Sequence, residues 1–399
     1  MHEVSLQSLP QWLQVLIARA GKIVLEDSYG LADVEAQTPV ADDAIVRIYS
    51  MTKPITCVAA LMCYEKNCFQ LDDPVSKFLP EFASMRVFVG GTADAPGFQP
   101  AASPITIAHL FTHTSGIGAG TDPALAELQH RQARSQGGAS SSLAEEVERI
   151  AEMPLMAHPG TRWHYASGHT VLGRCIEVWS GVEYSEFLRT RIFEPLKMPD
   201  TSFVVEESKR DRFTRNYQHG SIPLQAYPSE GNYFDLNVVP GPSGGLTGTI
   251  RDYWKFCQCL LNNLKGQTFE GIRLLGRKTA EFIGTNHLPN HGDMASMGQA
   301  SFSESPMDGV GFGLGVAVVV DPAKSQLLRS PGEWYWGGMA STAFWVDPQE
   351  DIVTVFFTQL VPSGSTPIRP ELRVAVNAAV IDAPPGVYNP STGSVTHRL

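Results

Sequence analysis

Ser50 and Lys53 stand three residues apart in Ile48-Tyr49-Ser50-Met51-Thr52-Lys53-Pro54. Residues at that spacing share a helical face, so the lysine ammonium can reach the serine hydroxyl. A serine becomes a nucleophile when a base takes its proton, and lysine serves as that base only in its neutral form, which apolar surroundings favour. At a helix N-terminus, backbone N–H groups would also face negative charge developing on a substrate oxygen. The pair alone is a short pattern, and a helix cap beside a solvated lysine satisfies it equally.

The residues that follow support a buried position. Ile55, Val58, Ala59 and Met62 recur at helical spacing, and Cys57 and Leu61 make the other faces nearly as apolar, which predicts a central helix over about 50–67. Pro54 falls in its first turn, where a missing N–H costs least. Ahead of it, 11–18 and 22–29 are β-rich runs divided by Arg19-Ala20-Gly21, an opening hairpin. Asp73-Pro74 reads as an N-cap followed by proline at the first helical position. Helices are predicted over 106–113, 142–153, 168–180 and 184–196, with a capping box at Ser142 and Glu145 and a stop at Gly181. The Gly/Ser-rich 136–142 is a surface loop. Residues 249–263 form a capped helix; 311–320, 342–346 and 352–359 are strands of an antiparallel meander, and 370–381 is a closing helix.

Strands at both ends and helices between them predict an α/β plus all-α fold: an antiparallel sheet flanked by helices, with an inserted helical domain. The expected division is 1–70 with 240–399 as the α/β domain and 71–239 as the mainly helical insertion, with a cleft where they meet.

Composition narrows the function classes. The chain has 399 residues, 43% hydrophobic and 18% charged, enough for a large core. A formal net charge of −11 without a basic cluster argues against nucleic acid or an anionic membrane as partner. No apolar run approaches the roughly 20 residues of a membrane span. Residues 1–10 lack the basic-then-apolar order of a signal peptide. The six cysteines (57, 63, 68, 175, 257 and 259) form no regular framework and suit a reducing compartment, so a cytoplasmic location is expected.

Three further stretches matter: His113-Thr114-Ser115-Gly116, Pro159-Gly160-Thr161-Arg162-Trp163-His164-Tyr165-Ala166-Ser167 and Trp334-Tyr335-Trp336-Gly337-Gly338-Met339. With the Ser50 stretch, in this order and at these separations, the chain resembles the serine β-lactamase and penicillin-binding-protein superfamily. Within it, the chain is similar to the family VIII carboxylesterases, which look like class C β-lactamases. The resemblance implies a β-lactamase/transpeptidase-like fold, with Ser50 as nucleophile and Lys53 as its partner in Ser-x-x-Lys. It implies that Tyr165 acts with the lysine in proton transfer and that the N–H groups of Ser50 and Met339 form the oxyanion hole. Trp336, Gly337 and Gly338 match the third motif beside the cleft, and Ser167 closes the second.

Two departures bear on the substrate. Trp336 stands where β-lactamases carry a lysine that helps hold the antibiotic's carboxylate, and Ser167 stands where class C enzymes have asparagine. An apolar wall of Trp334, Tyr335 and Trp336 would suit a neutral acyl or alcohol group. The expectation is therefore a serine carboxylesterase for short-chain, small-molecule esters without a metal or organic cofactor. The alternatives are a class C-like β-lactamase, an acyltransferase of the same fold and a catalytically silent binding relative. Relatives usually begin with a helix before the first strand; either residues are missing here or another subunit covers that face, which leaves a homodimer as an expectation.

Competing signals are weaker. Gly241-Pro242-Ser243-Gly244-Gly245 satisfies the nucleophile-elbow pattern, but Pro240 and Pro242 crowd the strand that an elbow needs, so a tight turn near the cleft is expected. His109 with His113, and His287 with His291, have zinc-like spacing without the intervening glutamate or a nearby cysteine pair. Structural roles are expected for them, His113 fixing a turn.

Overall fold

The computed structural model describes residues 10–118, 122–221, 224–227, 232–298 and 307–382. At its centre is an eight-stranded antiparallel sheet built from both ends of the chain. From the N-terminal end come β1 (Trp12–Arg19), β2 (Lys22–Asp33) and β3 (Thr38–Pro39); from the C-terminal end come β4 (Val310–Phe312), β5 (Ala317–Val319), β6 (Trp334–Gly337), β7 (Ala343–Asp347) and β8 (Ile352–Phe357). The spatial order is β4-β5-β6-β7-β8-β1-β2-β3. The seam between the chain ends is β1 against β8, with Gln14 opposite Phe357 and Arg19 opposite Ile352.

Strand alternation divides the sheet's side chains between two layers. Phe344, Val346, Val353, Val355 and Phe357 enter the main core with α7 (Ile250–Leu264), whereas Trp345, Ile352 and Ile17 pack with Leu372 and Val376 of α9 (Ile368–Ala378). Helices on both faces leave every residue of β8 buried. Under the main core runs α1 (Thr52–Tyr64), buried from Thr52 to Cys63 and packed against α5 (Gly168–Ser180). A helix apolar on every side belongs in the interior. At Gly315, φ is 93°, and a Cβ there would lie 2.3 Å from Sγ of Cys57, so the turn between β4 and β5 presses directly on α1.

Several boundaries differ from expectation. Ser50 lies in a 3-10 turn, Tyr49–Met51, just before α1. Asp73-Pro74 opens no α-helix: Pro74 is extended, with ψ 138°, its segment is pinned by the Val75 N–H to Ile105 O bond of 2.8 Å, and only the 3-10 turn Val75–Lys77 follows. Residues 311–320 form two strands because Gly313 and Gly315 turn the chain. The stretch 184–196 becomes α6 (Tyr184–Leu188) followed by a π-helical turn. The Ser142 hydroxyl accepts from Glu145 N–H, but the Glu145 carboxylate returns to Ser141 rather than to Ser142. Helix α4 (Leu143–Glu152) therefore starts with a variant of the capping box. Gly181, with φ 70°, ends α5 as expected. The expected helix over 106–113 is α2 (Ile107–Phe111); elements not anticipated include α3 (Pro123–Ser135), α8 (Arg277–Ile283) and the hairpin Arg86–Gly91/Pro96–Pro100. No helix of the described residues is long and apolar enough to cross a membrane.

One ion pair fixes α9 to the sheet beside β6. Glu333 and Arg373 are buried partners, and the guanidinium lies 4.4 Å from the centre of the Trp345 ring and 5.0 Å from that of Tyr335. Removing one member strands the other in a medium that cannot solvate it. Arg373→Met is therefore expected to lower stability by about 3–5 kcal/mol in urea unfolding. Adding Glu333→Gln should recover much of that loss, since the stranded charge is then gone; a double variant no better than the single would contradict it.

Candidate active site

The turn before α1 sets the site. Tyr49 holds φ 45°, a left-handed conformation rare for a bulky residue, and its hydroxyl accepts a hydrogen bond from Asn216 Nδ2 at 2.5 Å. The next residue is Ser50, whose half-buried side chain sits at the mouth of α1. One turn on, Lys53 is only 4% exposed. Its Nζ lies 3.4 Å from Ser50 Oγ, 2.6 Å from the carbonyl oxygen of Ser243 and 4.5 Å from the centre of the Tyr165 ring. No carboxylate pairs with this ammonium among the described residues.

Tyr165 arrives on the loop into α5, half-buried. Its ring packs on His113 at 4.7 Å and on Trp336 at 5.4 Å, centre to centre, with Phe312 and Trp163 completing the cluster. His113 also holds a left-handed φ of 56°; its carbonyl accepts from His164 N–H and its Nδ1 from Ala166 N–H, at 2.8 and 3.3 Å. Thus His113 fixes the loop carrying Tyr165. Behind it lies His169 of α5, ring centres 4.6 Å apart. Among the described residues, Nε2 of His113 and both ring nitrogens of His169 have no hydrogen-bond partner.

Burial, with the nearby Lys53 charge, holds both imidazoles well below the usual histidine range. The folded state therefore resists protons that the unfolded chain accepts below about pH 6.5. Stability from these groups is complete above that pH and is lost as pH falls beneath it, by about 1.4 kcal/mol per pH unit for each histidine. His169→Leu should remove about half of this acid sensitivity. Urea midpoints of both proteins at pH 7.5 and 5.5 check it; parallel pH slopes would refute it.

The third wall is β6 and the turn after it. Alternation puts Trp334 and Trp336 on one face and Tyr335 on the other. Trp334 is buried against Phe344 and Gly284, and Tyr335 faces Arg329 and Arg373. The expected three-residue wall is thus a single residue, Trp336, backed by Phe312 and Tyr165. Gly338 closes the site: a Cβ there would fall 2.7 Å from Ile48 O and 3.3 Å from Tyr49 Cβ, so the turn bearing Met339 abuts the turn bearing Ser50. Among the described residues, the Met339 N–H has no protein acceptor. Gly337 faces the other way, towards Arg369.

Ser167 is exposed at the start of α5, where its side chain makes no cap. Thr170, one turn further, instead reaches Ser243 Oγ at 2.8 Å. Ser243 itself precedes no helix and lies 73 residues from Thr170 in sequence, in the Pro240–Gly245 turn whose Gly244 touches Tyr49 and Ser50. It lines the site through its carbonyl; sequence reasoning placed its turn near the cleft but missed the contact to Lys53. The zinc-like histidine spacings have other uses: His109 Nδ1 accepts from Thr106 N–H at 3.1 Å, and His287 Nε2 lies 3.0 Å from Phe282 O. The described residues hold no group of three or more potential metal ligands.

This arrangement gathers a hydroxyl, a buried amine, a phenol and two turns with backbone N–H groups around Ser50, the parts that acyl transfer to serine requires. The sequence model of the Beta-lactamase family matches residues 13–378. The chain belongs to the Beta-lactamase family. Among relatives of this family member, the esterase EstB of Burkholderia gladioli is 29% identical over 385 residues, covering 91% of this chain and 90% of EstB. A lovastatin esterase of Penicillium rubens is 29% identical over 346 residues, covering 82% of each. Among solved structures, EstCE1, described as a hydrolase with promiscuous acyltransferase activity, superposes with a TM-score of 0.77 at 24% identity over 93% of this chain and 94% of its own. The fold is the β-lactamase/transpeptidase-like one.

Proposed function

We propose that the chain is a serine carboxylesterase that cleaves small acyl esters through an acyl-enzyme on Ser50. The observation that carries this reading is Lys53: a buried amine between Ser50 Oγ and the Tyr165 ring, held by a carbonyl instead of a carboxylate. Lys53 and Tyr165 take the Ser50 proton as Oγ attacks the ester carbonyl. The N–H groups of Ser50 and Met339 receive the oxyanion. The proton passes to the leaving alcohol, and the same pair activates the water that releases the acid and restores Ser50.

Ester preference over lactams is drawn from Trp336, an uncharged ring against Tyr165 where a carboxylate-binding lysine would otherwise stand. Kinship with proteins named as esterases agrees with it. The test is kcat/KM of one preparation on p-nitrophenyl butyrate and on nitrocefin, with Ser50→Ala as the blank. A large excess for the ester supports the reading; parity or an excess for nitrocefin makes the protein a β-lactamase in activity. A second reading, transfer of the acyl group to an alcohol, is favoured by the description of EstCE1. Added alcohol acceptors would then yield transfer products at the expense of free acid. The cytoplasmic setting and a homodimer complete the proposal, and a monomer in light scattering at micromolar concentration would remove the latter.

A further inference from the structure

Arg369, the second residue of α9, lies far from Ser50 in sequence and carries no signature of its own. Its guanidinium is half-buried beneath the turn that follows β6. Nη2 donates to Gly338 O at 3.2 Å and to Thr342 O at 2.8 Å, and Nε donates to Ser341 O at 3.3 Å. The fork thus grips both ends of one turn. Nη1 occupies the space a side chain on residue 337 would need, 3.0 Å from the position of a Cβ on Gly337.

Gly338 O and the Met339 N–H belong to the same peptide unit. A trans peptide is planar, so its N–H points opposite to its C=O, and whatever fixes the oxygen aims the hydrogen. Gly338 O is held twice, by Arg369 and by the Ser341 N–H at 3.1 Å, while the N–H at the other end has no acceptor among the described residues. A cation on the carbonyl oxygen also draws electron density along the amide and makes the N–H a stronger donor.

We propose that Arg369 is the positioning residue of the oxyanion hole, aiming and polarising the Met339 N–H through the peptide it shares with Gly338. The inference rests on the acyl-enzyme reading above and extends it to a residue that touches no reacting atom. The fork geometry explains why arginine serves here: three carbonyls on two sides of a turn match a planar fork and exceed the reach of one ammonium.

The test compares wild type, Arg369→Lys, Arg369→Gln and Arg369→Ala on p-nitrophenyl butyrate, and measures inhibition by a trifluoromethyl ketone, whose Ser50 adduct carries an oxyanion, beside inhibition by butyl methyl ether, a neutral molecule that forms no adduct. Loss of an oxyanion-hole donor lowers kcat by about 100- to 1000-fold. Because the donor is loosened here and not deleted, Arg369→Ala should lose about 10- to 100-fold in kcat with KM nearly unchanged, and ketone affinity should fall by a similar factor while inhibition by the ether stays constant. Lysine should retain more activity than glutamine, and added guanidinium should restore part of the alanine variant's rate. If alanine does not fold, the lysine and glutamine variants carry the same comparison.

Unchanged kcat, or a loss in which ketone and ether affinities fall together, would overturn the assignment. If wild type itself neither turns over the ester nor labels at Ser50 with a fluorophosphonate, the serine-hydrolase reading fails and this inference with it. An active, labelled wild type beside an indifferent Arg369→Ala removes the role of Arg369 alone.

Discussion

Ser50→Ala should fold as wild type does and lose ester turnover by about five to six orders of magnitude. The two halves of this expectation have separate physical grounds. Ser50 is half-buried, and among the described residues its hydroxyl makes one long contact, 3.4 Å to Lys53, so truncation forfeits little binding energy in the native state. The hydroxyl is also the sole atom of the proposed mechanism that forms a covalent bond to substrate, and no neighbour replaces it: Ser243 Oγ is engaged with Thr170. Mass spectrometry after a brief exposure to p-nitrophenyl butyrate should find one added acyl group on wild type and none on the variant. A variant that keeps its rate, or is acylated elsewhere, would move the nucleophile to another residue.

Lys53→Met is expected to separate activity from stability in opposite directions. Loss of the amine removes the proton acceptor nearest Ser50, which should lower kcat by about 1000- to 10,000-fold. The same change relieves a burial cost. In its charged form Lys53, 4% exposed and facing no carboxylate among the described residues, gives up several kcal/mol of hydration, whereas the Ser243 carbonyl left behind loses one donor, worth about 1–3 kcal/mol. The balance favours a variant at least as stable as wild type, with Tm equal or higher. Tyr165→Phe should show a similar kinetic loss without the gain, because the ring keeps its packing on His113 and Trp336. A Lys53→Met protein that melts well below wild type would mean that the amine holds the fold together, and its activity loss would then say little about chemistry.

Much of this was legible in the sequence because the backbone itself enforces it. Three-residue spacing brings Ser50 and Lys53 together whatever surrounds them, and the alternating runs of β7 and β8 leave little choice but a sheet. Alternation also contained the answer for Trp334, Tyr335 and Trp336: neighbours in a strand face opposite ways, so all three never shared one wall. Helix α3 carried a readable start too, since Asp122 accepts from the amides of Ala124 and Leu125 and Pro123 stands at its first position. Other features left no trace. The Ser243 and Gly338 oxygens are main-chain groups, identical in every residue type, and only the folded chain shows that Lys53 and Arg369 are their partners. Asp73-Pro74 misled because a tertiary bond from Val75 to Ile105 outweighed a local preference worth about 1 kcal/mol.

The seam between β1 and β8 has a consequence for how the molecule comes into being. Gln14 and Phe357 are paired in the middle of the sheet, yet all of the helical region lies between them in the chain. Until β8 emerges, the opening hairpin presents an unsatisfied edge, and the buried helix bearing Ser50 and Lys53 lacks the strands that cover it. Contacts so distant in sequence make for slow closure. A chain stopped short of β8 would therefore be an aggregation hazard instead of a weaker enzyme, and catalytic competence should appear only once β8 has been made.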